Sequence, residues 1–264
     1  AALLVARFAI ASVVILVFFP KARKALTSKI LWIDGLLLGS LMFLAYFTQM
    51  VGLDDIDPSV SAFLTSLYVI FTAIITTILA RKKPTRILIA GVLLATFGAG
   101  FIEGPPHVSW GVGEILTVFC AVLFSLHIIF TQRITLLRDP IGISTTSFIV
   151  VTICSIITVF ALGDGTNSGQ WSLIISDGVI VPILLLGIAG TFFCLLVLSL
   201  FQRYLHPVQA AMIYALEPVW ATAIGLSLGM VDWSLWILVG GGSLFIGNII
   251  VEALGASPDS SEEE

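Results

Sequence analysis

The stretch YALEPVWATAIGL, residues 214–226, places a glutamate and a proline inside a long apolar run. The whole chain of 264 residues is similarly apolar: 58% of its residues are hydrophobic, 11% are charged, and its mean hydropathy is +1.12. Soluble domains contain about 25% charged residues, and a water-exposed surface needs more polar residues than this chain offers. The surroundings of the stretch are therefore a lipid bilayer, and the chain is predicted to be an all-α membrane protein.

Apolar runs of spanning length follow one another along the chain. A membrane helix needs about 20 apolar residues. By this measure the nine predicted helices lie near residues 1–19, 30–51, 59–80, 86–103, 110–131, 142–162, 178–202, 208–229 and 233–254. The acidic tail at 256–264 is predicted to be disordered, because it has too few apolar residues to pack.

The basic residues are distributed unevenly over the connections between these helices. Eleven of the twelve lysines and arginines fall on alternate connections, which lie on one side of the membrane. By the positive-inside rule this side is cytoplasmic. The sequence therefore predicts a multi-pass protein of the plasma or inner membrane, with its C-terminus in the cytoplasm and residue 1 outside. The twelfth basic residue is Arg7, within the first helix.

The sequence repeats itself at an offset of 149 residues. Pro58, on an acidic outer connection, meets Pro207, on a basic inner connection, so the two copies point in opposite directions. Further pairs are Ala62/Ala211, Gly91/Gly240, Gly98/Gly247 and Glu103/Glu252. The predicted repeats are residues 1–105 and 106–255. Because inversion requires an odd number of helices in each repeat, a further helix is expected before residue 1, giving five helices per repeat and ten in all. Inverted repeats are typical of secondary transporters, which bind substrate near the bilayer midplane.

Several stretches resemble a known family. LLVARFAIASVVIL (3–16) resembles the second helix of EamA-type permeases of the drug/metabolite transporter superfamily, and WGVGEILTVFCAVLFSLHIIFTQR (110–133) resembles the start of their second repeat. SAFLTSLYVIFTAII (61–75) and AAMIYALEPVWATAIG (210–225) are similar to their fourth and ninth helices. The resemblance implies export or exchange of small metabolites, such as amino acids, by alternating access. Val69 stands where the family usually has a proline, which predicts a kink in only one of the two halves.

Glu217 and Pro218 are the first candidate site. Glu217 lies roughly 14 Å along its helix at 1.5 Å per residue, which is close to the bilayer midplane. An acidic side chain costs about 2.5–3.5 kcal/mol there. Pro218 lacks an N–H and should bend the helix, which frees a backbone carbonyl. Glu217 is therefore a candidate contact for a substrate ammonium group or a candidate proton carrier; the alternative is a protonated glutamate that hydrogen-bonds within the bundle as a packing contact.

Other polar residues at membrane depth complete the predicted site. The candidate substrate-binding residues are Glu217, Trp220, Tyr214, Tyr46, Gln49, Tyr68 and His127. Tyr46, Gln49 and Tyr68 lie on helices that line the cavity in the family that the chain resembles. Glu114 is expected to anchor its helix at the outer interface, and Arg7 to pair with Glu114 or Glu103 or to extend toward the interface.

Other function classes lack their sequence signals. The chain has no HExxH, no GxGD pair, no GxSG turn and no P-loop, so it is predicted not to be an enzyme or an ATP-driven pump and to need no cofactor or metal. The basic clusters are short connections explained by topology, so no nucleic-acid partner is predicted.

The expected partners are a small-molecule substrate and the bilayer, for a monomer or homodimer. Small-xxx-small patterns at 35–39 and 225–229 and the glycines at 240–242 are interpreted as packing within the bundle. The alternatives are a non-transporting membrane scaffold, or a drug-like, nucleotide-sugar or vitamin transporter of the same fold.

Overall fold

The computed structural model describes residues 2–81, 83–162 and 178–254, and within these ranges the regular secondary structure is entirely helical. The predicted disordered tail at 256–264 lies outside them. The helices are α1 (Ala2–Phe18), α2 (Pro20–Ala25), α3 (Lys29–Gly52), α4 (Pro58–Ser66), α5 (Tyr68–Ala80), α6 (Arg86–Phe101), α7 (Val112–Leu137), α8 (Pro140–Ala161), α9 (Ile180–Leu185), a π-helix (Leu186–Phe193), α10 (Cys194–Phe201), a 3₁₀ turn (Gln202–Tyr204), α11 (Pro207–Tyr214), α12 (Glu217–Ser227) and α13 (Leu235–Leu254).

The helical segments agree with the predicted spans. Seven segments among the described residues are long and apolar enough to cross a membrane, when α4 is taken with α5, α9 with the helices up to Tyr204, and α11 with α12. α1 and α6 are shorter apolar helices of 17 and 16 residues. Each segment matches a span expected from the sequence to within a few residues. The prediction of an all-α membrane protein is confirmed.

Local chemistry fixes where the helices begin. Pro20, Pro58, Pro140 and Pro207 each occupy the first position of a helix, where the missing N–H has no intrahelical partner to lose. The carboxylate of Asp139 caps α8 by accepting a hydrogen bond from the Gly142 N–H at 3.1 Å. Such capping satisfies amide groups that the helix itself leaves unpaired.

Two of the spanning segments are broken near their middles. α11 ends at Tyr214 and α12 begins at Glu217, so the bend predicted beside Pro218 is present. α4 ends at Ser66 and α5 begins at Tyr68, so the expectation of a kink in only one half is wrong. The break occurs without a proline: the Leu67 N–H bonds three residues back, to the Leu64 carbonyl, and the Ser66 hydroxyl donates to the Phe63 carbonyl at 2.6 Å. The backbone bond over three residues tightens the last turn of α4.

The chain forms two compact units. Unit 1 comprises Ala1–Phe47 with Phe130–Leu205, and unit 2 comprises Thr48–Ile129 with His206–Glu264. α3 and α7 each run from one unit into the other. Each unit therefore contains helices from both of the repeats predicted at 1–105 and 106–255.

In unit 1, small residues bring α3 against α8. A Cβ atom added to Gly35 would overlap the side chain of Thr146, and one added to Gly39 would lie 2.8 Å from the Ser147 carbonyl oxygen. The Thr146 hydroxyl donates to the Leu31 carbonyl of α3 at 2.9 Å. The first small-xxx-small pattern therefore packs helices within the bundle, as predicted.

In unit 2, glycines bring α6 against α13. A Cβ on Gly98 would lie 2.5 Å from the Gly240 carbonyl oxygen, and a Cβ on Gly247 would lie 2.7 Å from the Gly91 carbonyl oxygen. Neither helix could approach so closely with a larger residue at these positions. Gly240 thus packs within the bundle, as predicted, whereas a Cβ on Gly242 would meet no atom within 4 Å, so the prediction is wrong for that glycine.

Candidate functional site

The breaks in the two spanning segments of unit 2 bring polar side chains together. Tyr68 is the first residue of α5, Tyr214 is the last residue of α11, and Glu217 is the first residue of α12. The Tyr68 phenol interacts electrostatically with both Glu217 and Tyr214. Tyr68 and Tyr214 are half-buried, whereas Glu217 is exposed. We call these three residues the break cluster.

Gln49 of α3 lies beside the same break. Its Nε2 donates to the Thr65 hydroxyl at 3.1 Å, and Thr65 lies in the last turn of α4, next to the break. Thr65 was not predicted as a site residue. Its closeness to the break in the sequence became a signal only once the structure had shown that the helix is interrupted there.

The break cluster combines a carboxyl group with two phenols at mid-depth in the bundle. Glu217 lies at the middle of the 21-residue segment Pro207–Ser227, and Tyr68 at the corresponding place in the 23-residue segment Pro58–Ala80. A carboxylate at the first position of a helix is stabilised by the helix dipole. The exposed carboxyl group can accept hydrogen bonds from a cationic ligand or exchange a proton, and the phenols can donate or accept.

Two predicted site residues of unit 2 lie in different surroundings. The Trp220 ring is 59% exposed and packs edge-on against Phe245 of α13, with ring centroids 6.2 Å apart. His127 is buried in α7, and no hydrogen bond joins its ring to another residue of the described ranges. Neither position adds a polar contact to the break cluster.

Tyr46 belongs to a second polar cluster, in unit 1. The guanidinium carbon of Arg7 lies 4.8 Å from the centre of the Tyr46 ring and 5.3 Å from the centre of the Phe8 ring. The Arg7 Nε donates to the Thr191 hydroxyl at 2.9 Å, and this hydroxyl donates in turn to the Leu186 carbonyl at 2.9 Å. Within unit 1 the guanidinium group of Arg7 thus makes hydroxyl and aromatic contacts and no ion pair with another described residue. The pairing with Glu114 or Glu103, which belong to unit 2, and the extension toward the interface stay predictions.

Glu114 holds the start of α7. Its carboxylate accepts hydrogen bonds from the Gly111 N–H at 2.7 Å, the Ser109 N–H at 3.3 Å and the Ser109 hydroxyl at 3.1 Å. Charge-assisted hydrogen bonds of this kind are the stronger ones in proteins. The expected role of Glu114 as an anchor at the helix end agrees with this geometry.

An apolar groove of about 240 Å³ runs along α5 and α6. The side chains that line it include Ile70, Ile74, Leu88 and Val92, with Thr77 as a polar member. None of the predicted site residues lines it. A groove of this composition fits a hydrocarbon chain. The candidate site is therefore assigned to the polar clusters and not to this groove.

Comparison with known proteins shows what the chain is similar to. Residues 1–103 match the EamA-like transporter family. A protein of Archaeoglobus fulgidus described as an uncharacterized transporter is 30% identical over 189 residues, which make up 71% of this chain and 58% of that protein; the chain thus spans less than two thirds of that relative. A crystal structure with 14% sequence identity has the same fold, with a TM-score of 0.77 over 96% of this chain and 86% of the other. The chain is an integral multi-pass membrane protein, and its residues 1–103 belong to the EamA-like transporter family.

Proposed function

We propose that the protein is a secondary transporter that exports or exchanges amino acids or related small metabolites by alternating access. The observation that carries the proposal is the break cluster: two spanning helices are interrupted beside Tyr68, Tyr214 and the exposed Glu217, and α5 packs against α11 there. Interrupted helices form the substrate sites of many secondary transporters, because unwound backbone and polar side chains are tolerated at membrane depth where they line a cavity.

The helix bounds support the proposal of an inverted repeat. Helices begin at Pro58, Tyr68 and Arg86, and further helices begin 149 residues later, at Pro207, Glu217 and Leu235. Tyr68 and Glu217 are thus equivalent positions of the two repeats.

The glycine contacts support the same repeat. Gly91 lies against Gly247, and Gly98 lies against Gly240. Gly91 and Gly240 are 149 residues apart, and so are Gly98 and Gly247, so the repeat exchanges the two contacts. A twofold axis between α6 and α13 would have the same effect. An internal axis of this kind is the geometry from which alternating access arises in inverted-repeat transporters.

Glu217 is the residue that we propose contacts the cargo. In its ionised form it accepts hydrogen bonds from the ammonium group of an amino acid, and the neighbouring phenols of Tyr68 and Tyr214 complete a polar wall. In its protonated form it is neutral, so proton release and uptake at this position couple the movement of cargo to the proton gradient.

The test is an efflux assay in bacteria that express the protein. Cells are loaded with labelled amino acids, and the rate of loss is compared for the wild type, Glu217→Gln and Glu252→Gln. Glu252 is a matched control, because it is an exposed carboxylate on α13 whose contact is with Gln209. We expect accelerated efflux of one class of amino acid, with a pH dependence that Glu217→Gln removes and Glu252→Gln keeps.

Two results would contradict parts of the proposal. If folded Glu217→Gln keeps the wild-type pH dependence, Glu217 carries no proton. If no amino acid leaves the cells faster, the cargo is of another kind, and drug-like molecules, nucleotide sugars and vitamins are assayed next. Failure with every cargo would favour a scaffold without transport activity.

A further inference from the structure

We propose that Arg7, Thr191 and the rings of Tyr46 and Phe8 form a subsite in unit 1 that binds the carboxylate of a small organic anion. The inference rests on the proposed function, since the anion would be one that the protein transports, and the subsite is described within unit 1 alone. The break cluster would not select a carboxylate, because it contains a carboxyl group and two phenols of its own.

The hydrogen bonding of Arg7 leaves its outer edge available. A guanidinium group has five N–H donors. The Nε–H is directed to the Thr191 hydroxyl, and no hydrogen bond within the described ranges uses the four N–H groups on the two Nη atoms. These two nitrogens present parallel donors, which is the geometry that binds a carboxylate through two hydrogen bonds.

The surroundings of Arg7 hold the group in place without neutralising it. The Tyr46 and Phe8 rings lie 4.8 and 5.3 Å from the guanidinium carbon, so aromatic faces attract the cation while they add no negative charge. Arg7 is half-buried in an apolar helix and remains charged at every physiological pH. A charged group at membrane depth normally has a counter-charge, and the described residues of unit 1 offer Arg7 none.

The π-helix presents Thr191 to Arg7. Thr191 is fully buried, and its hydroxyl donates to the Leu186 carbonyl, five residues earlier. The hydrogen of this hydroxyl is therefore used in that bond, and the hydroxyl oxygen accepts a hydrogen bond from the Arg7 Nε–H. Gly187 brings the π-helix close to α1, since a Cβ there would lie 2.9 Å from the Cβ of Ile10. π-helical segments are rare and are often found at functional sites.

A role in packing alone explains less of this geometry. A packing residue would need neither a full charge nor two unused donor nitrogens in an apolar bundle, and leucine would fill the same space at lower cost. A carboxylate ligand would satisfy both nitrogens and supply the counter-charge at the same time.

The test measures binding of a matched pair of probes to the purified protein in lipid nanodiscs. Benzoate and benzamide have nearly the same shape, and only benzoate carries a negative charge. Thermal unfolding, followed by tryptophan fluorescence, is recorded over a range of probe concentrations for the wild type, Arg7→Lys, Arg7→Gln and Arg203→Gln. Arg203 is the control, because its guanidinium also lies over a tyrosine ring, at 5.5 Å from the centre of Tyr204, but at the end of the span Ile180–Tyr204.

We expect benzoate to raise the unfolding temperature of the wild type at concentrations where benzamide has no effect. The apparent affinity for benzoate should fall about tenfold in Arg7→Lys, which keeps the charge and loses the paired donors. It should fall to the level of benzamide in Arg7→Gln and remain unchanged in Arg203→Gln. Equal responses of the wild type to the two probes would overturn the inference, and this comparison needs no variant to fold.

Unchanged benzoate binding in folded Arg7→Gln would also overturn the inference. Failure of the proposed function is a separate outcome, since the efflux assay reports on transport and the nanodisc assay on binding. If amino acids are exported while benzoate and benzamide bind alike, the transporter proposal stands and the carboxylate subsite is wrong. If benzoate binds through Arg7 and no cargo moves, the subsite stands and the transport proposal fails.

Discussion

Replacing Gly247 with alanine is expected to weaken the contact between α6 and α13. The new Cβ would lie 2.7 Å from the Gly91 carbonyl oxygen and 2.8 Å from the Ala95 nitrogen. Both atoms belong to the backbone, so no side chain can turn aside. Ordinary carbon–oxygen contacts are about 3.3–3.6 Å, so α13 has to move away from α6 by roughly 0.6–0.9 Å or strain its own backbone.

The magnitude follows from two opposing effects. Overpacking of a close contact costs about 1–3 kcal/mol, whereas alanine is favoured over glycine within a helix by about 0.5–1 kcal/mol. The net destabilisation of Gly247→Ala is therefore about 0.5–2 kcal/mol. Gly242→Ala is the matched control on the same helix, because a Cβ there meets no atom within 4 Å. Gly242→Ala keeps the free-energy preference of alanine over glycine in a helix and avoids the clash. We therefore expect this variant to be as stable as the wild type or more stable.

Equilibrium unfolding of the two variants in detergent micelles, followed by tryptophan fluorescence, measures the difference directly. Gly247→Ala should unfold at a lower denaturant concentration than the wild type, and the two variants should differ by about 1–3 kcal/mol, because the preference of alanine over glycine is common to both. Equal stability of Gly247→Ala and Gly242→Ala would refute the reasoning, since it would mean that α6 and α13 do not meet through their glycine backbones.

Two further predictions concern the ends of helices. Glu114→Ala leaves the Gly111 and Ser109 N–H groups without their acceptor, so the free energy of unfolding should fall in the same measurement; an unchanged value would show that water replaces the carboxylate. Partial burial lowers the pKa of His206. The folded protein therefore binds fewer protons at this ring than the unfolded chain does. The neutral ring caps the helix, since its Nδ1 accepts a hydrogen bond from the Val208 N–H. Stability should therefore decline as the pH falls below about 6.5, and His206→Asn, which caps without titrating, should show a shallower decline; identical pH profiles would contradict this.

Most of the fold could be predicted from the sequence, because the thickness of the bilayer sets the length of each apolar run. The interruption beside Pro218 was also predictable, since proline cannot continue a helix in its normal geometry. The interruption at Leu67 was not, because no proline or glycine stands there and hydroxyl bonds like that of Ser66 to Phe63 also occur within unbroken helices of this chain. Composition alone does not reveal which hydroxyl lies at a helix end.

The candidate site was predicted only in part. Glu217, Tyr214 and Tyr68 stood out as polar groups in apolar runs, and the structure brings them together. The contact of Arg7 with Thr191 joins residues 184 positions apart. Nothing in the stretch LGIAGTFF (186–193) distinguishes a π-helix from an α-helix, because both bury the same apolar residues and differ only in their hydrogen-bond spacing.

The π-helix has a consequence for how the length of this chain can vary. Its hydrogen bonds join residues five apart instead of four, so the segment can lose one residue and return to α-helical geometry without a break. Such a deletion would leave the apolar length of the 25-residue span Ile180–Tyr204 almost unchanged. It would keep α10 near its present orientation, because the wider π-helical turns already accommodate the extra residue, but it would end the five-residue spacing between Leu186 and Thr191 over which the Thr191 hydroxyl donates. A single-residue gap at this point between two related sequences therefore marks a change in the surroundings of Arg7, although it would pass for neutral variation in a membrane helix.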